Sequence, residues 1–206
     1  MEEKQSYIAE ARREQIIKAA IEVLTETGYF NTSLGKIAKK ANISTGLISY
    51  HFSGKEDLMI QTLIYLVEQE RKSIVERVER KQTPTERLIA YIEANLAYQV
   101  TNMTNNRALI EIAFNARTPD NTPYYLLDDE EEEEDLKLAL LIDILNQGQE
   151  TQEFGTFNPQ VIAAIIQGAI SESMLTSHKG VSLEEYSEEL VNSLLKMVKA
   201  KQGFYS

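Results

Sequence analysis

The clearest pattern of hydrophobic and polar positions lies between residues 32 and 58. Apolar residues recur there at intervals of three and four, the spacing of one buried helical face: Leu34, Ile37, Ala38 and Ala41. Thr32 or Ser33 is suited to cap this helix, because a short side-chain oxygen accepts a hydrogen bond from a free N–H group at the helix start. Asn42 tolerates the left-handed backbone that ends a helix, and Ser44 is suited to cap a second helix running to about Phe52. The stretch therefore predicts two short helices joined by a tight turn.

Helical patterns also surround this stretch. A first helix is predicted over residues 7–27, with Gly28 at the position that usually follows a helix end. Tyr29 and Phe30 are expected to pack across the core of the first three helices. Ser53 and Glu56 form an S-x-x-E capping box, which predicts the start of a long fourth helix that ends near residue 80.

Five more helices are predicted beyond residue 80. The fifth begins at Thr83-Pro84-Thr85-Glu86, with a threonine cap and a glutamate in the box position, and runs to about 103. Asn105-Asn106 separates it from a sixth over about 107–116. A seventh ends near 149, an eighth begins at Asn158-Pro159, and a ninth begins at a further capping box from Ser182 to Glu185. With 9 glycines and 4 prolines in 206 residues, the chain is predicted to be all-α with about nine helices.

Composition narrows the classes of protein that fit this pattern. The chain contains no cysteine, which excludes disulfides, thiolate metal sites and a cysteine nucleophile. No apolar run approaches the roughly 20 residues that span a bilayer, and the N-terminus is charged, so a cytoplasmic protein without membrane contact is expected. The net charge of −11 is unevenly distributed, because residues 1–56 hold 8 basic and 7 acidic side chains, whereas residues 57–206 hold 13 and 25. Several cations near the tight turn are therefore expected to form a local basic face: Arg12, Arg13, Lys36, Lys39, Lys40 and Lys55.

The amino-acid sequence around the tight turn is a more specific signal than the spacing of its apolar residues. The segment FNTSLGKIAKKANISTGLISYHFSGKEDLM resembles the N-terminal module of the tetracycline-repressor-like (TetR) family of bacterial regulators over residues 10 to 60. The recurring elements are a Thr-Ser pair, Ile-Ala, Ile-Ser, Tyr-His-Phe, Lys-Glu and a following Leu. The resemblance implies an N-terminal helix-turn-helix DNA-binding domain over residues 1–56 and a helical effector-binding and dimerisation domain over residues 57–206.

The same resemblance implies which residues contact DNA. The second short helix would enter the major groove with Ser44, Thr45, Gly46 and Ser49 exposed, and Leu47 would touch thymine methyl groups if it faces DNA. Tyr50 and Lys55 match family positions that contact phosphates, and further phosphate candidates lie at the start of the first short helix and at the end of the second: Thr32, Ser33, Lys36 and His51. Thr45 and Ser49 replace the basic and aromatic residues that are common at their positions, which favours readout through hydroxyls, methyl contacts and DNA shape.

Candidate effector-binding residues lie in the predicted fifth to seventh helices. Tyr91, Asn95, Tyr98 and Asn102 share one face of the fifth helix. Glu111 and Asp143 are acids in apolar surroundings, and each is interpreted either as a partner for a cationic ligand or as the polar face of an amphipathic helix. Further aromatic rings are expected to line a pocket or to pack: Phe114, Tyr124 and Tyr125. The residue types favour an aromatic or cationic effector.

The remaining polar motifs give little support to metal binding or catalysis. The run DDEEEEED at 128–135 is interpreted as an acidic helix start, because consecutive carboxylates fan around a helix axis instead of converging on one ion. Only His51 and His178 are available as histidines, and Ser177-His178 is interpreted as part of a loop.

The resemblance therefore implies a dimeric transcription regulator, most simply a repressor, and no catalytic residues, metal or cofactor are expected. In the family that the chain resembles, the last two helices of each subunit form the dimer interface, and the expected partners are a palindromic double-stranded DNA operator and a small-molecule effector. The alternatives are a protein of the same fold that acts through a protein partner, a cofactor-binding helical enzyme, and an activator.

Overall fold

The computed structural model describes the backbone of residues 2–118, 120–124, 136–175 and 180–199. Within these ranges every regular element is a helix, and a lone antiparallel bridge joins Arg117 to Pro123. The helices, numbered in chain order, are α1 (Glu2–Thr27), α2 (Leu34–Ala41), α3 (Thr45–His51), α4 (Lys55–Glu79), α5 (Pro84–Thr101), α6 (Met103–Asn115), α7 (Leu136–Glu150), α8 (Pro159–Leu175) and α9 (Leu183–Lys199). The predicted all-α class is confirmed. None of these helices combines the length and the apolar character that crossing a membrane requires.

Reciprocal capping boxes begin two of the later helices, as predicted. At α5, Thr83 Oγ1 accepts a hydrogen bond from Glu86 N–H at 3.2 Å, and the Glu86 carboxylate accepts one from Thr83 N–H at 3.2 Å. At α9, Ser182 Oγ accepts from Glu185 N–H at 3.1 Å, and the Glu185 carboxylate accepts from Ser182 N–H at 2.8 Å. Each box satisfies N–H groups that a helix start leaves without an intrahelical partner.

Two predicted helix boundaries and one predicted capping partner are wrong. α1 begins at Glu2 instead of residue 7. At the start of α4, Ser53 N–H donates to Asp57 Oδ2 at 2.7 Å, so Asp57 replaces Glu56 as the acidic partner of the box. Asn106 lies inside α6 and is buried, because its N–H continues the helical pattern to the Asn102 carbonyl at 3.0 Å and packing outweighs the low helix propensity of asparagine.

The first compact unit comprises Met1–Glu68 and Asn102–Asp128. α1, α2, α3, the first part of α4 and α6 enclose one apolar core. Its fully buried residues include Ile16, Leu24, Ile37, Ile48, Leu58, Met59 and Ile112. Tyr29 packs against this core as expected, whereas the prediction for Phe30 is wrong, because its side chain is 78% exposed.

The second compact unit comprises Gln69–Thr101 and Asp129–Ser206. The last part of α4 and helices α5, α7, α8 and α9 enclose a separate apolar core, to which α5 contributes most of its length. Its fully buried residues include Ile74, Leu88, Tyr91, Ile92, Leu141, Ile144, Ala163, Ile166 and Val198.

The two compact units divide the chain differently from the predicted boundary between residues 56 and 57. The first unit extends to Glu68 and includes α6, so α4 belongs partly to each unit. The assignment of DNA binding to residues 1–56 and of effector binding to residues 57–206 stays a prediction. The acidic run at 128–135, Tyr125 and the Ser177-His178 pair lie outside the described residues.

Candidate nucleic-acid interface

Hydrogen bonds among neighbouring residues build the turn between α2 and α3. Ser33 Oγ accepts from Lys36 N–H at 3.4 Å, and Ser44 Oγ accepts from Leu47 N–H at 3.2 Å. Asn42 adopts the left-handed conformation with φ 55° and ψ 47°, and its N–H reaches the carbonyl groups of the last turn of α2. The predicted starts of both helices and the predicted end of α2 are confirmed.

α3 presents a face of short polar side chains. Ile48 is fully buried and Leu47 is half-buried, so one side of the helix is fixed to the core. The predicted recognition residues on the other side are exposed: Ser44, Thr45, Gly46, Ser49 and Tyr50. Ser49 Oγ donates to the Thr45 carbonyl at 3.2 Å, so its oxygen remains available as an acceptor. The first turn of α3 thus offers hydroxyl and backbone groups instead of long side-chain donors.

The two candidate phosphate-binding lysines lie against one turn, formed by residues 29–31. Lys36 Nζ donates to the Asn31 carbonyl at 2.7 Å, and Lys55 Nζ donates to the Tyr29 carbonyl at 2.8 Å. Lys55 Nζ also lies 4.6 Å from the centroid of the Tyr29 ring, and burial lowers the pKa of this lysine. The structure therefore places two ammonium groups beside one short backbone segment, at the N-terminal ends of α2 and α4.

The end of α3 carries one exposed ring and one ring that is partly covered. Tyr50 is 82% exposed, and its ring meets the His51 ring edge-on at 5.0 Å between centroids. Arg13 donates to the His51 carbonyl at 2.6 Å and lies 4.5 Å above the Phe52 ring. Burial, together with the positive charges of Arg13 and Arg12, lowers the pKa of His51. Arg13 thus supports the end of α3 instead of adding to a free basic face.

Other cations of the expected basic face and two remaining candidates have local roles. Lys40 forms ion pairs with Glu22 and Glu26 at 3.1 and 2.5 Å. Thr32 is only 3% exposed and its hydroxyl donates to the Gly28 carbonyl at 2.8 Å, so that hydroxyl is not presented at the surface. Ser33 is exposed and caps α2.

Sequence reasoning missed Phe30 as a surface residue. Its ring is exposed in the same turn whose carbonyl groups accept from Lys36 and Lys55. No local signal distinguishes it from Tyr29, because both are aromatic and adjacent. Its exposure in the turn that both lysines contact makes it a further candidate for contact with nucleic acid.

The predicted effector stripe on α5 is buried inside the second unit. Tyr91, Asn95 and Tyr98 are 0%, 1% and 6% exposed, and Asn95 Nδ2 donates to the Tyr91 carbonyl at 2.7 Å. Gln99, which sequence reasoning missed, donates to the Ile170 carbonyl at 3.1 Å and accepts from Ser173 Oγ at 2.7 Å. The position of Gln99, one helical turn after Asn95, was the available signal. Polar groups of α5 and α8 therefore meet within an otherwise apolar core.

The two acidic candidates have different surroundings. Glu111, in the first unit, accepts from Tyr29 N–H at 2.9 Å and so fixes α6 to the turn that follows α1. Asp143, in the second unit, is exposed and pairs with Arg87 at 3.4 Å, which corresponds to the polar-face interpretation.

The remaining effector candidates also lie in the first unit: Asn102 and Tyr124 are half-buried, and Phe114 is 49% exposed. Burial raises the pKa of Tyr124, whose ring packs against the first core. In the part of the chain that the structure describes, no cluster of three or more histidine, aspartate or glutamate residues is arranged to hold a metal ion.

Comparison with known sequences finds a family that resembles the turn and its flanking helices. Residues 16–62 match the family described as bacterial regulatory proteins, tetR family. The HTH-type transcriptional regulator HbdR of Aromatoleum sp. (strain CIB) is 38% identical over 81 residues, which are 39% of this chain and 35% of HbdR. The HTH-type transcriptional regulator BetI of Escherichia coli O17:K52:H18 (strain UMN026 / ExPEC) is 29% identical over 118 residues, which are 56% of this chain and 60% of BetI. The chain thus spans between 35% and 60% of the length of these curated relatives.

Comparison with solved structures extends the likeness to nearly the whole fold. FadR of Bacillus subtilis in complex with stearoyl-CoA superimposes with a TM-score of 0.74 at 24% identity, over 90% of this chain and 98% of FadR. AibR in complex with isovaleryl coenzyme A and operator DNA superimposes with a TM-score of 0.67 at 19% identity, over 91% of this chain and 98% of AibR. At these identities the likeness establishes the fold.

Proposed function

We propose that this chain, whose residues 16–62 match the family described as bacterial regulatory proteins, tetR family, is a one-component transcription regulator that binds operator DNA as a homodimer. In its simplest form it is a repressor that an effector releases from DNA. The observation that carries this proposal is the exposed face of α3, with Thr45 and Tyr50 directed away from a core that Ile48 anchors.

DNA binding is proposed to divide into base reading and phosphate contact. α3 enters the major groove, where the hydroxyls of Ser44, Thr45 and Ser49 meet base edges. Tyr50, Lys36 and Lys55 contact phosphates, which fixes the position of α3 without reading sequence. In a dimer the two α3 helices occupy successive major grooves about 34–36 Å apart, so the operator is a near-palindrome.

Dimerisation is proposed to use α8 and α9. Exposed small and apolar residues follow one another along α8 at helical spacing: Val161, Ala164, Ile165 and Gly168. Val161 and Ile165 are 56% and 46% exposed, and within the described residues no atom outside the neighbouring residues and backbone of α8 lies within 4 Å of a Cβ built at Gly168. Ile165→Glu should convert the dimer to a monomer in sedimentation experiments, whereas Ile64→Glu on α4, 45% exposed in wild type, should leave it dimeric.

The effector is proposed to bind the body of the protein, where Tyr91, Asn95, Tyr98 and Gln99 supply polar groups inside an apolar core. The residue types on α5 favour an aromatic or cationic compound. FadR and AibR, which share the fold, are described in complex with CoA thioesters, which are anionic, so a CoA thioester is the competing class. A screen for release from DNA therefore includes both classes.

Release needs only an effector that binds more tightly to the conformation unable to hold DNA. α4 is the element through which we propose the two functions are coupled, because it contains Lys55 at its start and continues into the second compact unit. Moving the equilibrium from 1:99 to 99:1 requires a preference of about 5.5 kcal/mol, shared between the two subunits of a dimer.

Selection of operator sequences from random duplex DNA, repeated across a salt series, tests the DNA-binding proposal. A two-fold palindrome should be enriched, and log affinity should fall linearly with log salt concentration. Lys36→Ala should weaken binding to all sequences alike and reduce the salt slope by about 0.9 for each phosphate that the variant no longer neutralises. Thr45→Ala should instead relax the preference at particular bases.

Lys18→Ala is the matched control, since Lys18 is an exposed lysine of α1 that pairs with Glu14 at 2.7 Å. Equal effects of Lys36→Ala and Lys18→Ala would refute the assignment of the phosphate contacts. Absence of any enriched motif, with weak binding even at low salt, would refute sequence-specific DNA binding and direct attention to a protein partner.

A further inference from the structure

A basic cleft lies on the surface of the second compact unit. It has a volume of about 250 Å³ and lies between the last turn of α4, the residue pair that follows it, and the middle of α5. Six residues line it, and all of them belong to this one unit: Arg77, Arg80, Lys81, Ala90, Glu93 and Ala94. Nothing in the proposed DNA contacts uses these residues.

The residues that line this cleft carry a net positive charge, although the segment of the chain that contains them is net negative. Three cationic side chains face one carboxylate, although residues 57–206 contain 13 basic and 25 acidic residues. Within the described residues, Arg77 and Lys81 form no ion pair, and neither pairs with Glu93 across the cleft. Arg80 pairs with Glu76, but both side chains are more than 60% exposed, so the pair is weak and open to exchange.

Small residues give the cleft its depth. Ala90 and Ala94 lie one helical turn apart on α5 and are 6% and 1% exposed, so both methyl groups form the floor beneath the charged side chains. The volume is just below the roughly 300–1,000 Å³ typical of sites that enclose a whole drug-sized molecule. The space therefore suits one compact charged group of a ligand.

Phosphate is the group that fits this combination best. Two guanidinium groups each offer paired N–H donors that match phosphate oxygens, and an ammonium adds a mobile point charge. Glu93 at the rim is an acceptor for a hydroxyl or amino group next to the phosphates. We propose that the cleft of Arg77, Arg80 and Lys81 binds the phosphate-bearing end of a small molecule.

This inference rests on the proposed function only in treating that molecule as the effector. It favours the anionic class of effector over the cationic one. The phosphate can belong to a larger compound, such as a CoA thioester, or to a free phosphorylated compound.

Titration calorimetry on the whole chain separates these two sources of phosphate. The three probes are coenzyme A, 3′-dephospho-coenzyme A and inorganic pyrophosphate. Tighter binding of coenzyme A than of pyrophosphate, with competition between them, assigns the phosphates to a larger effector. Binding of pyrophosphate alone assigns a free phosphorylated compound. In both cases Arg77→Gln should weaken binding by about 10-fold to 100-fold, the range for hydrogen bonds to charged groups.

Two further variants make the test specific to the cleft. Glu93→Gln should strengthen phosphate binding, since it removes the only carboxylate that lines the cleft, and loss of folding could not produce that sign. Lys72→Gln makes the same charge change on an exposed residue of α4 outside the cleft and should leave affinity unchanged.

Absence of binding by all three probes at millimolar concentration, or equal weakening by Arg77→Gln and Lys72→Gln, would overturn the proposal. Retained operator binding by the same preparation would then show that the proposed regulator function stands without it. Equal loss of operator affinity on all sequences in Arg77→Gln, without any probe binding, would also overturn it and assign the cleft to DNA phosphates.

Discussion

Gly148 on α7 occupies a position where even a methyl group has no room. A Cβ built at this residue lies 2.0 Å from Cδ2, 2.3 Å from Cε2 and 2.6 Å from Cγ of Phe154. Carbon atoms in ordinary contact are about 3.5–4.0 Å apart, so Gly148→Ala requires the Phe154 ring to move by about 1.5 Å. That ring is 5% exposed, and the Phe154 N–H donates to the Gly148 carbonyl at 2.8 Å, which restrains the backbone of both residues.

Two opposing terms set the size of the effect. Overpacking of a dense core lowers the free energy of unfolding by about 1–3 kcal/mol, and complete loss of the ring's packing by about 3–5 kcal/mol. Replacing glycine by alanine inside a helix contributes up to about 1 kcal/mol in the other direction. We therefore expect Gly148→Ala to lower the free energy of unfolding by about 2 kcal/mol.

Urea unfolding followed by circular dichroism measures this change, and a double-mutant cycle with Phe154→Ala isolates its cause. In the Phe154→Ala background the clash is absent, so Gly148→Ala should become neutral or stabilising. Gly35→Ala on α2 is the control for helix propensity, because its Cβ would have only Ser33 Oγ within 4.0 Å. An equal loss of stability from Gly148→Ala in both backgrounds would refute the steric argument.

Two further predictions concern the first compact unit. Glu111→Ala should lower the free energy of unfolding by about 1.5–3 kcal/mol, because it removes the charged acceptor of the Tyr29 N–H. Glu111→Gln keeps an acceptor oxygen and should retain most of that free energy. A loss of effector binding without a loss of stability would instead restore the ligand-binding interpretation. For His51, whose pKa lies below its usual 6.5 because of burial and the nearby arginine charges, the unfolded state binds the proton more tightly. Stability should therefore fall as pH drops through 6.5 and level off below the folded-state pKa, and His51→Asn should remove this dependence, as pH-dependent melting curves of both proteins would reveal.

Local features of the chain could be predicted from the sequence with good accuracy. Ser33, Asn42 and Ser44 set the ends of α2 and α3 through hydrogen bonds to groups within four residues, and such bonds depend only on the local amino-acid sequence. The same holds for the Thr83–Glu86 box. At the start of α4 the pattern predicted Glu56 as the acidic partner, but Asp57, one residue further along the chain, accepts from Ser53 N–H instead.

Contacts between distant segments could not be predicted in this way. Periodicity shows that α7 has a buried face, but it does not reveal that Phe154 passes directly over Gly148. Glu111 and Asp143 gave the same signal, an acid in an apolar run, and yet one accepts from a backbone N–H 82 residues away while the other is an exposed partner of Arg87. The difference depends on which segment packs against each helix, and that information is not local.

This contrast explains why the proposed DNA-binding residues are better defined than the proposed effector site. A recognition helix needs one anchored side and one free side, and both follow from the spacing of Ile48 among exposed neighbours within α3. An effector site needs side chains from several helices to converge, so the stripe of Tyr91, Asn95 and Tyr98 specifies a buried polar strip without specifying what faces it. The basic cleft arises in the same way, because Arg77 and Ala90 meet only through the packing of α4 on α5. The chemistry of the proposed effector therefore depends on tertiary structure, and binding measurements on variants of the cleft are the direct way to determine it.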